Sequence, residues 1–355
     1  MVLRIGAKMI EYTTGNILEA KAEALVNTVN CVGVMGKGIA LQFKQAYPDN
    51  FAAYARACKA GDVQPGRLFI TETGSMLPPC YIINFPTKRH WRGKSRLEDI
   101  EAGLQTLAQE IQRLGIKSIA VPPLGCGNGG LDWGDVRPRI EAALGSLADV
   151  RVIVYEPHGA PAPDSMPVAA KNLKMTRARA LLLRLFELYQ TQDYLLSRLE
   201  AQKLAYFLQA AGEPMKLKYE KRQYGPYAHN LNHFLQLMEG NYIRGYGDGS
   251  QRAEIRVLPE ASQAARDYLA NDPEAQAHLG LIQKTIHGFE TPYGLELLAT
   301  VHWAMQENPE AAQDIETAIS IVQSWSSRKK ERYRPFHIQQ AWQRLQDTSW
   351  LTATA

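Results

Sequence analysis

Hydrophobic and polar positions alternate in two rhythms along this chain, and the rhythm changes near the middle. Up to about residue 156, short apolar runs are separated by stretches of helical periodicity. The runs MIEYT (9–13), ALVNTV (24–29), LFIT (68–71), YIINFP (81–86), SIAVP (118–122) and VRVIVYE (150–156) have the length and branched, apolar character of buried strands. Between them, GIALQFKQAYP, NFAAYARACKAG, LEDIEAGLQTLAQEIQRLG and WGDVRPRIEAALGSL predict helices. In the third, Ile100, Leu104, Leu107 and Ile111 share one face, the stripe of a helix laid on a core. Strand and helix in alternation predict an α/β layer fold.

Past EPHGAPAPDSMP the rhythm lengthens. Pro157, Pro161, Pro163 and Pro167 predict a linker at 159–170, between a first domain at 1–158 and a second at 171–355. RALLLRLFELYQ, DYLLSRLEAQKLAYFLQAAG, AHNLNHFLQLMEG and TPYGLELLATVHWAMQEN make the second domain mainly α-helical. A small β contribution is expected around MKLKYEKRQYGPY and AEIRVL. The length of 355 residues suits two such domains.

Composition narrows the class without naming a chemistry. Apolar content of 45% and charged content of 21% describe a globular protein with enough core material. A net charge of +4 excludes neither nucleic acid nor an acidic partner, so local clusters decide. Cys31, Cys58, Cys80 and Cys126 form no CxxC pair, which predicts free thiols in a reducing cytoplasm. No HExxH occurs, and no metal is expected. The N-terminus lacks the apolar core of a signal peptide and no later run is long enough to cross a bilayer, so a cytoplasmic protein without a membrane partner is expected.

Candidate chemistry concentrates in three segments. FPTKRHWRGKSR (85–96) puts Lys88 beside Arg89, His90, Trp91, Arg92, Lys94 and Arg96. Pro86 is expected to end the strand's pairing and leave Lys88 on a loop at its C-terminal edge, where open α/β sheets build their sites. The neighbouring cations are expected to lower the Lys88 pKa by like charge. The plain alternative is a solvated basic loop. A first glycine loop, NTVNCVGVMGKGIALQFK (27–44), sets Gly33, Gly36 and Gly38 before a helix and aims amides at an anion. It is not a P-loop, because Gly38 follows Lys37 where a hydroxyl would hold magnesium. The second loop, PPLGCGNGGLDW (122–133), contains GxGxxG at Gly125, Gly127 and Gly130, with Glu156 ending the next strand. That matches a dinucleotide fingerprint, but it lies in the last βαβ unit and leaves no second half for a nicotinamide. Two glycine loops in one domain suggest a pyrophosphate held from two sides. Cys126 reads as a packed thiol in preference to a nucleophile, since no histidine lies near it in sequence. Asn16 comes after the first strand, and Asn27 and Asn30 flank the end of the second, where amides suit ribose hydroxyls or an adenine edge, and also ordinary turns.

These segments, in order across the first domain, resemble the macrodomain, an ADP-ribose-binding, three-layer α/β/α fold on a mixed sheet. TGNIL, ALVNTVNCVGVMGKGIALQFK, FPTKRHWRGKSRLEDIEAGL and PPLGCGNGGLDW resemble more narrowly the DarG family of antitoxins. In that family a DarT-type toxin attaches ADP-ribose to thymidine in single-stranded DNA, and the antitoxin removes it by N-glycosidic hydrolysis without a cofactor. The resemblance implies that Lys88 is catalytic, that Asn30 contacts the distal ribose and that Tyr155 lies against the adenine. The ADP-ribose set it implies is Asn16, Ile17, Asn27, Thr28, Asn30, Met35, Gly36, Lys37, Gly38, Ile39, Ala40, Thr87, Gly125, Cys126, Gly127, Asn128, Gly129, Gly130, Leu131 and Tyr155. A DNA strand is expected over His90, Trp91, Arg92, Lys94 and Arg96, the aromatics stacking on unpaired bases.

Two positions depart from the pattern. Asn16 stands where many macrodomains carry aspartate, and Gly129 where human-type relatives place an aspartate in the second loop. EAQKLAYFLQAAGE and QYGPYAHNL resemble the C-terminal part of the same family, which implies binding of the toxin. There, Leu204, Phe207 and Leu208 read as helix core, and SRKKERYRPF (327–336) as a solvated charged face. The rival readings are an ADP-ribose reader without catalysis, which has no need of Lys88, and an NAD-dependent oxidoreductase, which lacks its second half.

Overall fold

The computed structural model describes residues 10–157, 159, 161–169, 173–190, 194–348 and 350. Met9 and Asp193, parts of expected elements, lie outside the described residues, as do residues 158, 160 and 170–172 at the expected domain boundary. The chain folds as two compact units, Met1–Ala169 with Gly247–Gln251, and Ala170–Tyr246 with Arg252–Ala355.

In the first unit the strands β1 (Ile10–Thr13), β2 (Ala24–Asn30), β3 (Phe69–Glu72), β4 (Tyr81–Lys88), β5 (Ser118–Val121) and β6 (Arg151–Tyr155) make one sheet. Their order is β1-β6-β5-β2-β4-β3. Every pair is parallel except β3 with β4, so the sheet is mixed. Each parallel strand is apolar on both sides because helices cover both faces. Ala24, Val26, Ile119, Val121, Val152 and Val154 join one core, with α3 (Leu97–Leu114) and α4 (Trp133–Leu144). The intervening Leu25, Ala120 and Ile153 join the opposite core, with Phe43 of α1 (Gly38–Ala46). Tyr54 and Ala57 of α2 (Pro48–Ala60) pack beside Val29 and Met35 on a further apolar cluster. The α3 stripe Ile100, Leu104, Leu107 and Ile111 is fully buried, as its spacing predicts.

The strand carrying Lys88 runs further than Pro86, where it was expected to end. Val29 pairs with Pro86 and Asn30 with Lys88, so Thr87 is an extra residue bulged out of the ladder. Proline is tolerated because β3 pairs no further along β4 than Asn84, so no carbonyl on that side waits for the missing N–H. Lys88 is therefore fixed as the last residue of a strand. The proline-rich stretch is packed in place: Met166 is buried, and Ala169 N–H donates to Gln45 O at 2.9 Å.

The second unit is mainly helical, as expected. Its helices are α5 (Arg177–Tyr189), α6 (Arg198–Ala210), α7 (Leu231–Met238), α8 (Pro259–Leu269), α9 (Pro273–Ile286), α10 (Pro292–Glu307), α11 (Pro309–Gln313), α12 (Ile315–Ser324), α13 (Ser327–Arg332) and α14 (Pro335–Asp347). Among the described residues, two short antiparallel pairs accompany them, β7 (Tyr219–Arg222) with β8 (Gly225–Ala228), and β9 (Ile243–Arg244) with β10 (Arg256–Val257). Helix α6 starts later than the periodicity suggests, because Ser197 and Glu200 form a capping box. Leu204, Phe207 and Leu208 are core. The basic run at 327–336 is not simply a solvated face. Lys329 is fully buried and donates to Glu296 Oε1 at 3.0 Å, and Arg328 pairs with the same carboxylate at 2.6 Å.

The QYGPY turn owes its glycine to this interior. A Cβ on Gly225 would lie 2.8 Å from Thr300 Oγ1. The next carbonyl, Pro226 O, accepts from the buried Lys203 amine at 2.6 Å. Burial, followed by the charge of Lys329, holds the Lys203 pKa down at about 7.

Helix α3 meets the sheet through Gly103, where an added Cβ would fall 2.2 Å from Phe85 Cζ. The Phe85 ring is fully buried and cannot retreat. Gly103→Ala is expected to destabilise, since overpacking costs about 1–3 kcal/mol and the gain in helix propensity offsets at most about 1 kcal/mol. A urea midpoint at or above wild type would contradict this contact.

Candidate active site

Parallel strands end on the same side of a sheet, and here that edge collects the candidate residues. Asn30 ends β2, Lys88 ends β4, and Tyr155 ends β6. The second glycine loop follows β5, and Asn16 comes shortly after β1. Crevices at such edges are the usual ligand sites of α/β folds.

Lys88 is half-buried, and its amine donates to the backbone carbonyl of Asn128 in the second glycine loop. Its pKa is lowered from the ordinary 10.5, and burial is the cause. The expected like-charge effect is not the source. Arg89 turns to a bidentate pairing with Asp99, Nη2 to Oδ1 at 3.1 Å and Nε to Oδ2 at 3.3 Å, which balances its charge.

The glycine loops face one another. A Cβ on Gly38 would lie 3.1 Å from Asn128 Nδ2. Among the described residues, the amides of Gly36 and Lys37 in the first loop, and of Gly127, Asn128 and Gly129 in the second, have no hydrogen-bond acceptor. Free amides in turns and before a helix form an anion cradle. Gly125 and Gly130 adopt φ of +74° and +77°, which the reversal of the second loop demands. Gly38 differs from its neighbours, since its amide already donates to Asp248 O at 2.9 Å.

The asparagines are engaged in shaping these loops. Asn30 Oδ1 accepts from Val32 N at 3.0 Å and Val34 N at 3.3 Å, and its Nδ2 donates to Val34 O at 2.6 Å. Asn27 is fully buried and donates to Asn84 Oδ1 at 3.0 Å. Asn16 caps a single 3-10 turn, Ile17–Glu19, by accepting from Leu18 N at 3.0 Å. Thr28, Ile39, Ala40, Leu131 and Tyr155 are half-buried, whereas Ile17, Met35 and Thr87 are buried. Cys126 is half-buried, and burial pushes its thiol up to about 11, which suits packing better than nucleophilic attack.

The basic run folds as a tight turn, with Gly93 N–H donating to His90 O at 2.9 Å. Trp91 stacks on His90, their centroids 5.5 Å apart, and carries the Arg92 guanidinium 4.5 Å from its ring centre. His90, Trp91, Arg92, Lys94 and Arg96 are all exposed. Ser95 is the exception, buried and donating its N–H to Gly129 O at 3.0 Å. That bond ties the lysine's own loop to the second glycine loop. Neither Ser95 nor Tyr54, whose hydroxyl donates to Asn30 O at 2.5 Å, was singled out from the sequence. Tyr54 looks like any apolar helix position, and the spacing of Ser95 and Glu98 points to a capping box that does not form, since Arg96 is the N-cap of α3 and the Ser95 tie to the loop is made by its backbone.

A Macro domain family model matches residues 26–140. The chain is 51% identical over 321 residues to the DNA ADP-ribosyl glycohydrolase of Thermus aquaticus, covering 90% of this chain and 89% of that protein. It is 44% identical over 353 residues to the Mycobacterium tuberculosis protein of the same name, covering 95% and 99%. The chain belongs to the DarG family of DNA ADP-ribosyl glycohydrolases. A transferase–glycohydrolase fusion protein of Thermosipho africanus, named for both DNA ADP-ribosyl activities, is 36% identical over 165 residues, 42% of each chain. Family membership makes this chain an enzyme.

The seat of Lys88 depends on the absence of a side chain at Gly129, where a Cβ would lie 2.2 Å from both Gly125 O and Ser95 Oγ. Gly129→Ala is expected to displace the Asn128 carbonyl, expose the amine and raise the Lys88 pKa back toward 10.5. Gly127→Ala, with nothing within 4 Å, should leave it unchanged. NMR titration of the Lys88 side chain reads both outcomes.

Proposed function

We propose that this chain removes ADP-ribose from thymidine in single-stranded DNA by hydrolysing the N-glycosidic bond, and that its second unit binds and neutralises a DarT-type DNA ADP-ribosyltransferase. The observation that carries the first part is Lys88, held at the end of β4 against a carbonyl of one amide-lined glycine loop and facing another. The free amides of the two loops hold the diphosphate. Tyr155 and Asn16 lie on the adenosine side, and Lys88 faces the sugar joined to the base.

In this reading the lone pair of Lys88 attacks the anomeric carbon. The carbon–nitrogen bond to thymine breaks, its electron pair leaves with the base, and the base takes up a proton. Water then resolves the lysyl–sugar adduct and returns the amine. The milder alternative is that Lys88 only polarises the departing base. Borohydride separates the two, since only a Schiff-base adduct is locked onto the protein. Outside the cleft, the exposed Trp91 stack and its flanking cations suit a single strand, whose bases offer ring faces and whose phosphates offer charge.

The second part rests on family membership over nearly the whole chain and on the fused transferase in the Thermosipho relative. The protein partners and ligands so proposed are the toxin, ADP-ribosylated single-stranded DNA and free ADP-ribose as product.

Wild type and Lys88→Ala are to be incubated with oligonucleotides carrying ADP-ribosyl thymidine. Loss of about 100-fold or more in the variant, with ADP-ribose binding retained, is the expected result, as for removal of a nucleophile. Unchanged activity in the variant defeats the lysine mechanism, and inactivity of both proteins favours a reader.

The same assay across pH gives a further prediction. Attack needs the neutral amine, so the rate should rise with pH and level off below 10.5, because the amine's pKa lies beneath that value. A rate that falls through this range would assign the lysine a protonated role.

A further inference from the structure

The first unit is not made only of the first half of the chain. Gly247–Gln251 fold with it, although its continuous part ends at Ala169. Within this segment Asp248 is 1% exposed. Its backbone carbonyl accepts from Gly38 N at 2.9 Å, and its carboxylate accepts from Gln42 Nε2 at 2.7 Å. The other carboxylate oxygen accepts from the backbone and hydroxyl of Ser250, which closes the segment into a tight turn. Gly247, at φ +67°, lies against Pro163, where a Cβ would approach Pro163 Cβ to 2.8 Å.

Helix α1 needs such a partner. Its first amides have no acceptor within the helix, and a side chain at the preceding residue usually supplies one. That residue is Lys37, which makes no capping bond and brings the wrong charge to a helix N-terminus. Asp248 supplies both missing parts, an acceptor for Gly38 and a negative charge bonded to Gln42 one turn further on. Gly38 is also the residue that meets Asn128 across the site.

We propose that Asp248 is a positioning residue for the glycine loops, and that residues 247–251 form a strap that caps α1 from a distant part of the chain. The strap takes the Gly38 amide for itself and fixes the loop so that the Gly36 and Lys37 amides stay open to the ligand. This inference rests on the ADP-ribose reading above for its effect on binding, but not for the strap itself.

The test uses the full-length chain with Asp248→Ala, Asp248→Asn, Gln42→Ala and the Gln42→Ala, Asp248→Ala double variant. ADP-ribose affinity is measured by calorimetry, kcat and KM on the modified oligonucleotide, and the Gly38 amide by hydrogen exchange. Asp248→Ala is expected to weaken ADP-ribose binding about tenfold, the loss of the charge-assisted hydrogen bond that ties the turn to α1, and to raise KM to match. The value of kcat should hold, because Lys88 is untouched. Asp248→Asn, which keeps an acceptor for Gln42, should restore most of the affinity. The double variant should resemble Asp248→Ala alone, since both changes break one contact. Exchange at Gly38 should accelerate in Asp248→Ala.

Unaltered Gly38 exchange in Asp248→Ala overturns the strap. Faster exchange with unchanged affinity overturns its positioning role, as does a fall in kcat with KM unaltered. If no protein, wild type included, binds ADP-ribose, the functional reading fails while Gly38 exchange still decides the strap.

Discussion

The pairing of β2 with β4 is the constraint on which the candidate site depends. These strands lie side by side in the sheet, β2 inside it and β4 next to the edge strand β3, and a network of buried amides locks their relation. Asn27 donates to Asn84, Asn84 and Asn50 bond each other at 2.7 and 3.3 Å, and Thr71 of β3 donates to Asn50 at 2.8 Å. Unpaired, these groups would be costly to bury, so the network tolerates one register. From that register follows the bulge at Thr87, which sets Lys88 opposite Asn30. Asn30 in turn holds Val32 and Val34, and so the shape of the first glycine loop. A one-residue slip would send Lys88 to the other face and leave the amides unmatched.

Much of this was legible in the sequence, for physical reasons that can be named. Every expected strand of the first unit is present: the buried parallel ones leave continuous apolar runs, and the antiparallel edge strand β3 is a short apolar run as well. The α3 stripe is equally plain. Pro86 misled because a proline's effect depends on whether a neighbouring strand reaches it, and β3 stops short. The charge of Arg89 misled because Asp99, ten residues on, turns back from the first turn of α3 to neutralise it. Asp248 was beyond reach altogether: it lies 206 residues from Gln42, and no local periodicity encodes a contact that distant. The second unit shows the same division. Its helices announce themselves, whereas the burial of Lys329 inside a basic run is fixed by Glu296 on α10 and could not be read from the run itself.

The departure at Gly129 takes on physical meaning in this setting. A side chain there would collide with Gly125 O and with Ser95, so the second loop has no room for a carboxylate at this position. Space that a carboxylate would occupy is used to bring the Asn128 carbonyl to Lys88. The loop and the basic run are then fastened by Ser95 N–H on Gly129 O. The same compactness leaves three consecutive amides, 127 to 129, free to face a ligand.

That substitution of a carbonyl for a carboxylate bears on the state of the lysine. A carboxylate partner would stabilise the ammonium and raise its pKa, keeping the lone pair occupied at neutral pH. A carbonyl can hold the amine in place with only a dipole, so the cost of burial still pushes the pKa down. Diverting Arg89 onto Asp99 serves position as well as charge, since it also fixes the residue after Lys88 to α3. The amine is thus oriented by neutral backbone and neighbouring pairing, and its basicity is set by how deeply the strand end is buried. In the proposed mechanism, where the amine sheds a proton before it attacks, this division between what orients it and what tunes it is the arrangement that a fully charged partner would spoil.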